Sequence, residues 1–563
     1  MAGHGESIPC KVRTGANTIR WPRRALFQRA MSGEGLAVTR SDLRASMKAS
    51  TRTLTFCAVL LLGLALRAYT LGYDLPYIYH PDEPVNVDIT QQVFRSSDLN
   101  PHFFVYPSLL YYVNDAAYHV YYQLGRLSGT LTTRSDIVPL EELAMGVTKA
   151  PQPGLILMSR AITLAFGIGT VALTWLLGVR LLGDWRAAAF ASLLVALGPT
   201  NVELSRYITP DTLMTFFAVG TVLAATRVAR DGRLADYVLA GLLAGLTAST
   251  KYNGALVILP IVVAHFLRVK PSRKSVWLLA LTSGCAAAGF FAATPFALLD
   301  PYTFADYVKF VGSQYHSGHV GMEGNTVPWY FSYMRKTAGL MYGVALLEVT
   351  RGVVSRSKPI MLLSIFPVAY FIFISGFEIR NDRTFLPITP FLFLLAASFL
   401  SHVFEITSRI EPPGWRRACR AAIACIAAIG VAQPAAVSAR DTYQRSQVDS
   451  RRTARVWIDE HLPQGSRIAI EPYAPFIDPR RFSIQAFENI IAHDAAWYAS
   501  NGFQYVIASE GMYGRFYLEP DRYAAQVASY NKMFNELAPL RVFNDGRYEI
   551  RILRTGRGID VAR

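Results

Sequence analysis

Residues 54–71 read LTFCAVLLLGLALRAYTL, a run with one arginine and no acid. A helix crosses a hydrocarbon core of about 30 Å in roughly 20 such residues, so this stretch reads as a membrane crossing. Comparable runs follow at Leu155–Leu182, Ala187–Leu197, Thr212–Ala229, Tyr237–Ser249, Ala255–Leu267 and Val276–Phe296. Others lie at Tyr330–Val349, Ile360–Gly376, Phe385–Phe404 and Ala418–Val437. About eleven crossings result, the shorter ones extending into flanking polar positions. The expected fold class is a polytopic α-helical membrane protein.

Composition agrees. Of 563 residues, 52% are hydrophobic and only 17% charged, which makes lipid the main solvent. The net charge of +16 would suggest nucleic acid in a soluble protein. Here the basic residues sit in short loops instead, with no stripe of cations interleaved with aromatics, so a nucleic-acid partner is excluded. Cys10, Cys57, Cys285, Cys419 and Cys425 show neither metal spacing nor a pattern that could staple an exported domain.

Charge asymmetry orients the chain. Alternate loops carry Arg180 and Arg186, then Arg227, Arg230 and Arg233, then Arg268, Lys270, Arg273 and Lys274. Later members carry Arg351, Arg356 and Lys358, then Arg409, Arg416, Arg417 and Arg420. These loops are expected in the cytoplasm, together with a basic, disordered arm over residues 1–50, in which Met31 or Met47 are alternative starts. An odd number of crossings places the C-terminus outside. The transmembrane module is then 51–437, and residues 438–563 are expected to form a small extracytoplasmic α/β domain. Its pattern predicts helices at Asp449–His461, Asp494–Asn501 and Arg522–Leu537, and strands at Arg467–Glu471, Phe503–Ser509, Leu540–Phe543 and Tyr548–Leu553.

Polar chemistry collects in the opposite set of loops: 72–154, 198–211, 250–254, 295–329 and 377–387. The first opens with Tyr79-His80-Pro81-Asp82-Glu83-Pro84. Adjacent acids at a membrane surface suit general-base chemistry, and they also suit the first turn of a helix over Val85–Arg95, where the macrodipole favours negative charge. The aromatic run from Tyr106 to Tyr122 reads as a helix lying along the interface. Thr209-Pro210-Asp211 reads equally as a helix start. The Gly-broken loop Gln314–Glu323 sets His316, His319 and Glu323 within a short span. Their spacing is too loose for a defined zinc site. Metal, phosphate and sugar remain open there, and no cofactor is assigned beyond a divalent metal as an alternative.

Four short motifs in order carry a resemblance: His80-Pro81-Asp82-Glu83, Arg206-Tyr207-Ile208-Thr209-Pro210-Asp211, Thr250-Lys251-Tyr252-Asn253-Gly254 and Arg383-Thr384-Phe385-Leu386-Pro387. Over roughly Leu54–Leu400 the chain resembles the C-type glycosyltransferase superfamily. It is most similar to the family-39-like bacterial enzymes related to protein O-mannosyltransferases and to the aminoarabinose transferase of lipid A. The resemblance implies a membrane glycosyltransferase that takes a sugar from a polyprenyl phosphate and passes it, with inversion, to a glycan, lipid or protein acceptor. It implies Asp82 as catalytic base with Glu83 beside it, and Asp211 as a second acid positioning acceptor or sugar. His80 and Tyr252 lie within its motifs as substrate-binding residues. Lys251, Arg206, Arg380 and Arg383 are the external cations near helix ends that would meet the leaving phosphate. Snorkelling to headgroups is the competing reading of these cations.

The implied location is a bacterial inner membrane with the active face outside. The alternative function is a transporter or flippase of lipid-linked saccharides, for which an internal repeat and midplane charges are the expected marks. A non-catalytic scaffold is a third reading.

Overall fold

We describe a computed structural model of the chain over residues 40–556. The arm expected at 1–50 lies outside the described residues for its first 39 positions. Among the described residues, eight helices are long and apolar enough to cross a membrane. They are Ser50–Ala68, Pro153–Leu182, Pro210–Arg230, Arg273–Ala293, Thr326–Val354, Lys358–Ser375, Arg383–Arg409 and Pro413–His461. Three shorter apolar helices, Trp185–Leu197, Leu234–Ala248 and Tyr252–Arg268, occupy the places of the three shortest predicted runs. The expected polytopic helical architecture is therefore the one observed.

Local sequence explains the helix ends. Helix Pro153–Leu182 starts with proline at its first position and stops at Gly183 in the left-handed region, the arrangement that proline and glycine favour at opposite ends. Asp184 then accepts the Arg186 N–H and caps the next helix, Trp185–Leu197. That helix breaks at Gly198, leaving its last carbonyls free. The buried Arg67 guanidinium takes two of them, Val195 O at 3.2 Å and Ala196 O at 2.9 Å, so a cation inside an apolar run is satisfied by backbone. Helix Thr389–Ile406 runs through the centre of the bundle. Its span is 89% buried, against 22% for Arg273–Ala293, which faces outward. The core around the central helix includes Phe391, Leu395, Val219, Val222 and Phe366.

The segment after the first candidate crossing folds into helices Asp82–Ser96 and Leu109–Leu127 and a small sheet. Its strands are β1 (Tyr77–Ile78), β2 (Glu141–Ala144) and β3 (Val147–Lys149), in the order β1-β3-β2. The β2–β3 turn reaches the C-terminal domain: Met145 O accepts the Tyr473 N–H at 3.0 Å. Gly146 has φ +69 there, and a Cβ would meet the Tyr473 ring at 2.7 Å, so no larger residue fits.

The C-terminal domain holds strands β4 (Arg467–Ile470), β5 (Ser483–Ala486), β6 (Tyr505–Ser509), β7 (Ala538–Asn544) and β8 (Glu549–Arg554), in the order β5-β4-β6-β8-β7. β4 is parallel to β5 and β6, and β8 is antiparallel to β6 and β7. Alternation sorts its two faces. Ile468, Ile470, Ile507, Ile550 and Ile552 pack with Ala454 and Ile458 of helix Ser450–His461. Ala469, Val506, Ala508 and Leu553 face the aromatic cluster of Tyr498, Phe503 and Tyr530. Strand β5 and helix Glu510–Tyr517 were not expected from sequence, because both are short and lack a clean apolar period.

Just after β4, the fully buried Glu471 accepts the N–H groups of Ser509 (2.8 Å) and Ile490 (3.1 Å) and the Tyr530 hydroxyl (2.7 Å). Burial pushes its carboxyl up to about 7 despite these bonds. The folded state therefore holds a proton that the unfolded chain releases near 4.5, and stability is lost as pH rises from 4.5 through about 7. Hydrogen-exchange protection of the β4 and β6 amides in the full-length protein should rise on acidification across this window. In Glu471→Gln that trend should vanish.

Candidate active site

The chain enters the site through β1 and turns at His80-Pro81 into the helix that begins at Asp82. Glu83 is buried and held on both oxygens by Arg160, at 2.9 and 2.8 Å. It also accepts the Ile208 N–H at 3.1 Å. Arg160 spends its remaining donors on the carbonyls of Leu71 (3.0 Å) and Tyr73 (3.1 Å). Glu83 thus ties the start of this helix to the end of the first crossing and to the loop before Asp211.

With its neighbour fixed, Asp82 stands partly exposed and pairs with Arg383. The Asp82 N–H donates to His80 Nδ1 at 3.2 Å. The His80 ring packs on Tyr207 with centroids 4.2 Å apart. Burial first, then the charges of Arg383, Arg445 and Arg160, hold His80 well below the usual histidine range, so it is neutral. Arg383 opens a 3-10 turn over Arg383–Ile388, its N–H bonded to Asn381 Oδ1 at 3.0 Å. Its Nε is buried without a hydrogen-bond partner. Beside it, desolvation and then the Glu203 carboxylate push Asp382 up to about 7.

A second pair lies at the next helix start. Pro210 and Asp211 begin helix Pro210–Arg230, and Lys251 Nζ reaches Asp211 Oδ1 at 2.8 Å. Both are buried, and Asp211 Oδ2 has no hydrogen-bond partner. Burial would lower the Lys251 ammonium, but Asp211 and then Tyr315 outweigh it and hold it above the usual lysine range. Lys251 Nζ also sits 6.0 Å from the centre of the Tyr106 ring. Tyr330 Oη donates to Asn381 O at 3.4 Å, and Tyr330 is among the groups whose field reaches Lys251.

Other residues singled out from sequence are engaged elsewhere. Arg206 donates to Asp441 (3.1 Å), Leu66 O (2.7 Å) and Thr442 Oγ1 (2.5 Å). Its guanidinium therefore locks the long helix Pro413–Ser446 to the end of the first crossing. Tyr252 Oη donates to Phe104 O at 2.7 Å. Arg380 pairs with Glu519 of the C-terminal domain, and its N–H donates to Met322 O at 2.7 Å. Glu323 accepts the Met322 N–H at 3.0 Å, and its carbonyl accepts from Arg522. His316 and His319 are exposed. Among the described residues, no group of three or more His, Cys, Asp or Glu side chains is gathered as a metal would need.

Four residues of this centre were missed from sequence: Arg160, Glu203, Asp382 and Arg445. Arg160 carried a signal, an arginine inside a predicted crossing. Asp382 carried one as well, being next to Arg383 in a polar turn between two apolar runs. Glu203 and Arg445, joined at 2.6 Å, carried none, because Arg445 comes from the far end of the chain.

Residues 155–298 match the family model of dolichyl-phosphate-mannose-protein mannosyltransferases. Two solved structures align over nearly the whole chain. One is the archaeal oligosaccharyltransferase AglB from Archaeoglobus fulgidus, in complex with an inhibitory peptide and a dolichol-phosphate. Its TM-score is 0.53 at 13% identity, covering 85% of this chain and 72% of that one. The other is ArnT from Cupriavidus metallidurans bound to undecaprenyl phosphate, with TM-score 0.52 at 15% identity over 90% of this chain and 98% of that one. The chain has the C-type glycosyltransferase fold. The resemblance read from the four motifs is thereby matched at the level of the whole helical bundle. A search of curated proteins by sequence gives no match. Within this C-type glycosyltransferase fold, the family-model match contains Asp211 and Lys251, while Asp82 and Arg383 lie on either side of it.

Proposed function

We propose that the protein transfers a sugar from a polyprenyl phosphate donor to an acceptor hydroxyl, with inversion, at the external face of a bacterial inner membrane. The observation that carries this reading is the pairing of Asp82 with Arg383, two residues from opposite ends of the bundle. In the proposed step Asp82 takes the proton of the acceptor hydroxyl. The oxygen attacks the anomeric carbon, the bond from that carbon to the phosphate oxygen breaks, and the polyprenyl phosphate leaves with the electron pair. Arg383 holds Asp82 in place and offers its unpartnered Nε to the phosphate. Lys251, held beside Asp211, adds a fixed cation in a desolvated setting where it counts for more than in water. Glu83 acts as a positioning residue, since both its oxygens already bind protein, and so does Arg206, whose two Nη atoms hold Asp441, Leu66 O and Thr442 although its Nε has no partner.

The proposed topology puts the residues before the first crossing in the cytoplasm and the domain 438–563 outside. Binding of undecaprenyl phosphate by a protein of the same fold supports the donor class. The test is transfer or hydrolysis of labelled sugar from a panel of undecaprenyl phosphate sugars by purified protein in nanodiscs. Turnover with at least one donor is expected. A folded protein inactive on the whole panel, yet moving lipid-linked saccharide across vesicles, would replace this reading with transport.

A further inference from the structure

A cavity of about 430 Å³ lies where His80 and Pro81 of the helical module meet Tyr473 and Tyr548 of the C-terminal domain. Its position connects it to the chemistry proposed above. His80 and Pro81 immediately precede Asp82. Tyr473 follows β4, and Tyr548 leads into β8, which runs antiparallel to β6, so both rings stand at the carboxyl end of the parallel strands. Open α/β sheets bind their ligands at that edge, where neighbouring strands leave in opposite directions. Here β5 and β6 flank β4 in this way.

The charge of the walls limits the occupant. Arg160 is bound to Glu83, Arg445 to Asp441 and Glu203, Arg451 to Asp449, and Arg547 to Asp545. Every arginine lining the cavity already holds a carboxylate, and the remaining donors of Arg160, Arg445 and Arg547 are taken by Leu71 O, Tyr73 and Tyr207, so an anionic ligand would meet few free donors without displacing an internal acid. A neutral ligand rich in hydroxyls meets a lattice of donors and acceptors without that displacement. Tyr79 contributes its ring to the wall, one face covered by the Arg451 guanidinium at 3.7 Å and its hydroxyl sealed away from the open space. Gln444 and Tyr548, both partly exposed, bring an amide and a phenol to the wall. The several tyrosine rings give apolar faces with polar tips, which suit the alternating CH and OH surfaces of a sugar ring.

We infer that this cavity is the acceptor subsite and that it takes an uncharged glycosyl unit, so that the C-terminal domain selects a saccharide acceptor. The assignment of the cavity to the acceptor rests on the transferase reading; its preference for a neutral sugar rests on the walls alone. The test uses full-length protein in nanodiscs and a panel of neutral methyl glycosides and disaccharides, with binding read by saturation-transfer NMR. Inorganic phosphate serves as competitor, and undecaprenyl phosphate binding is measured in parallel. At least one glycoside should bind, insensitive to phosphate, and Tyr548→Phe and Gln444→Ala should each weaken it by about tenfold while leaving undecaprenyl phosphate binding intact. Tyr548→Phe removes a single oxygen, which keeps the test clear of folding defects. Failure of the whole panel to bind, displacement by phosphate, or equal binding by both variants overturns the inference. Glycoside binding as expected, with no binding of undecaprenyl phosphate by wild type, would sink the transferase reading and leave the sugar site standing.

Discussion

Asp82→Asn is expected to lower glycosyl transfer by about 10²–10⁴-fold, the range a positioned general base contributes. The substitution keeps the size of the side chain and a carbonyl oxygen facing Arg383, so the turn from His80 into the helix should persist. What it removes is the proton acceptor. His80 cannot take over, since burial and three nearby arginines keep it from holding a proton and its Nδ1 is already occupied by the Asp82 N–H. Asp382 is the only other carboxylate adjacent to Arg383 in the chain, and its raised position near 7 leaves it partly protonated at neutral pH. The check is the initial rate of transfer at saturating donor for wild type and variant, with donor binding measured separately. Donor binding should change little. A variant retaining a third or more of the wild-type rate would exclude Asp82 as the base.

Arg160→Met should cost about 3–5 kcal/mol of stability, because it leaves the Glu83 carboxylate buried without its counter-ion. The pair is 3% and 0% exposed on its two sides, so the carboxylate is left with far less solvation than it has in water. The carbonyls of Leu71 and Tyr73 lose their donor in the same change. Thermal unfolding in detergent should show a markedly lower midpoint. The double variant Glu83→Gln/Arg160→Met should recover part of the loss, since the stranded charge is gone. Glu83→Gln alone separates the two roles proposed for this acid. As a positioning residue it should lose activity only in step with the folded fraction. A large loss of rate in fully folded Glu83→Gln would return Glu83 to the chemistry.

The legible part of the protein was whatever depends on neighbours in the chain. Apolar runs, the proline before Gly154, the glycine at 183 and the alternation in β4, β6 and β8 are all set by local period and backbone geometry. They placed the candidate membrane helices, including the three short ones, and most of the C-terminal sheet, but not the helix Pro301–Ser317, which forms inside the loop expected at 295–329. The four short motifs that carry the family resemblance brought Asp82, Asp211, Lys251 and Arg383 forward as residues worth attention. Strand β5 escaped because Ser483–Ala486 is mostly exposed and has no apolar face to reveal it.

Pairing was decided only in three dimensions. Glu83 and Asp82 are adjacent and chemically alike, yet one is sealed against Arg160 and the other stands open beside Arg383. Arg206 and Lys251 looked equivalent as external cations, but Arg206 turns to Asp441 on a helix more than two hundred positions away, while Lys251 closes on Asp211. Local periodicity determines which residues form helices and which face is apolar. The partner of a buried charge depends on which helices meet and at what depth, and there the desolvation of each ion selects a counter-charge from anywhere in the chain. The sequence by itself therefore determined a polytopic helical membrane protein with a small C-terminal α/β domain. Only the tertiary structure decided which of its polar groups remain free to act.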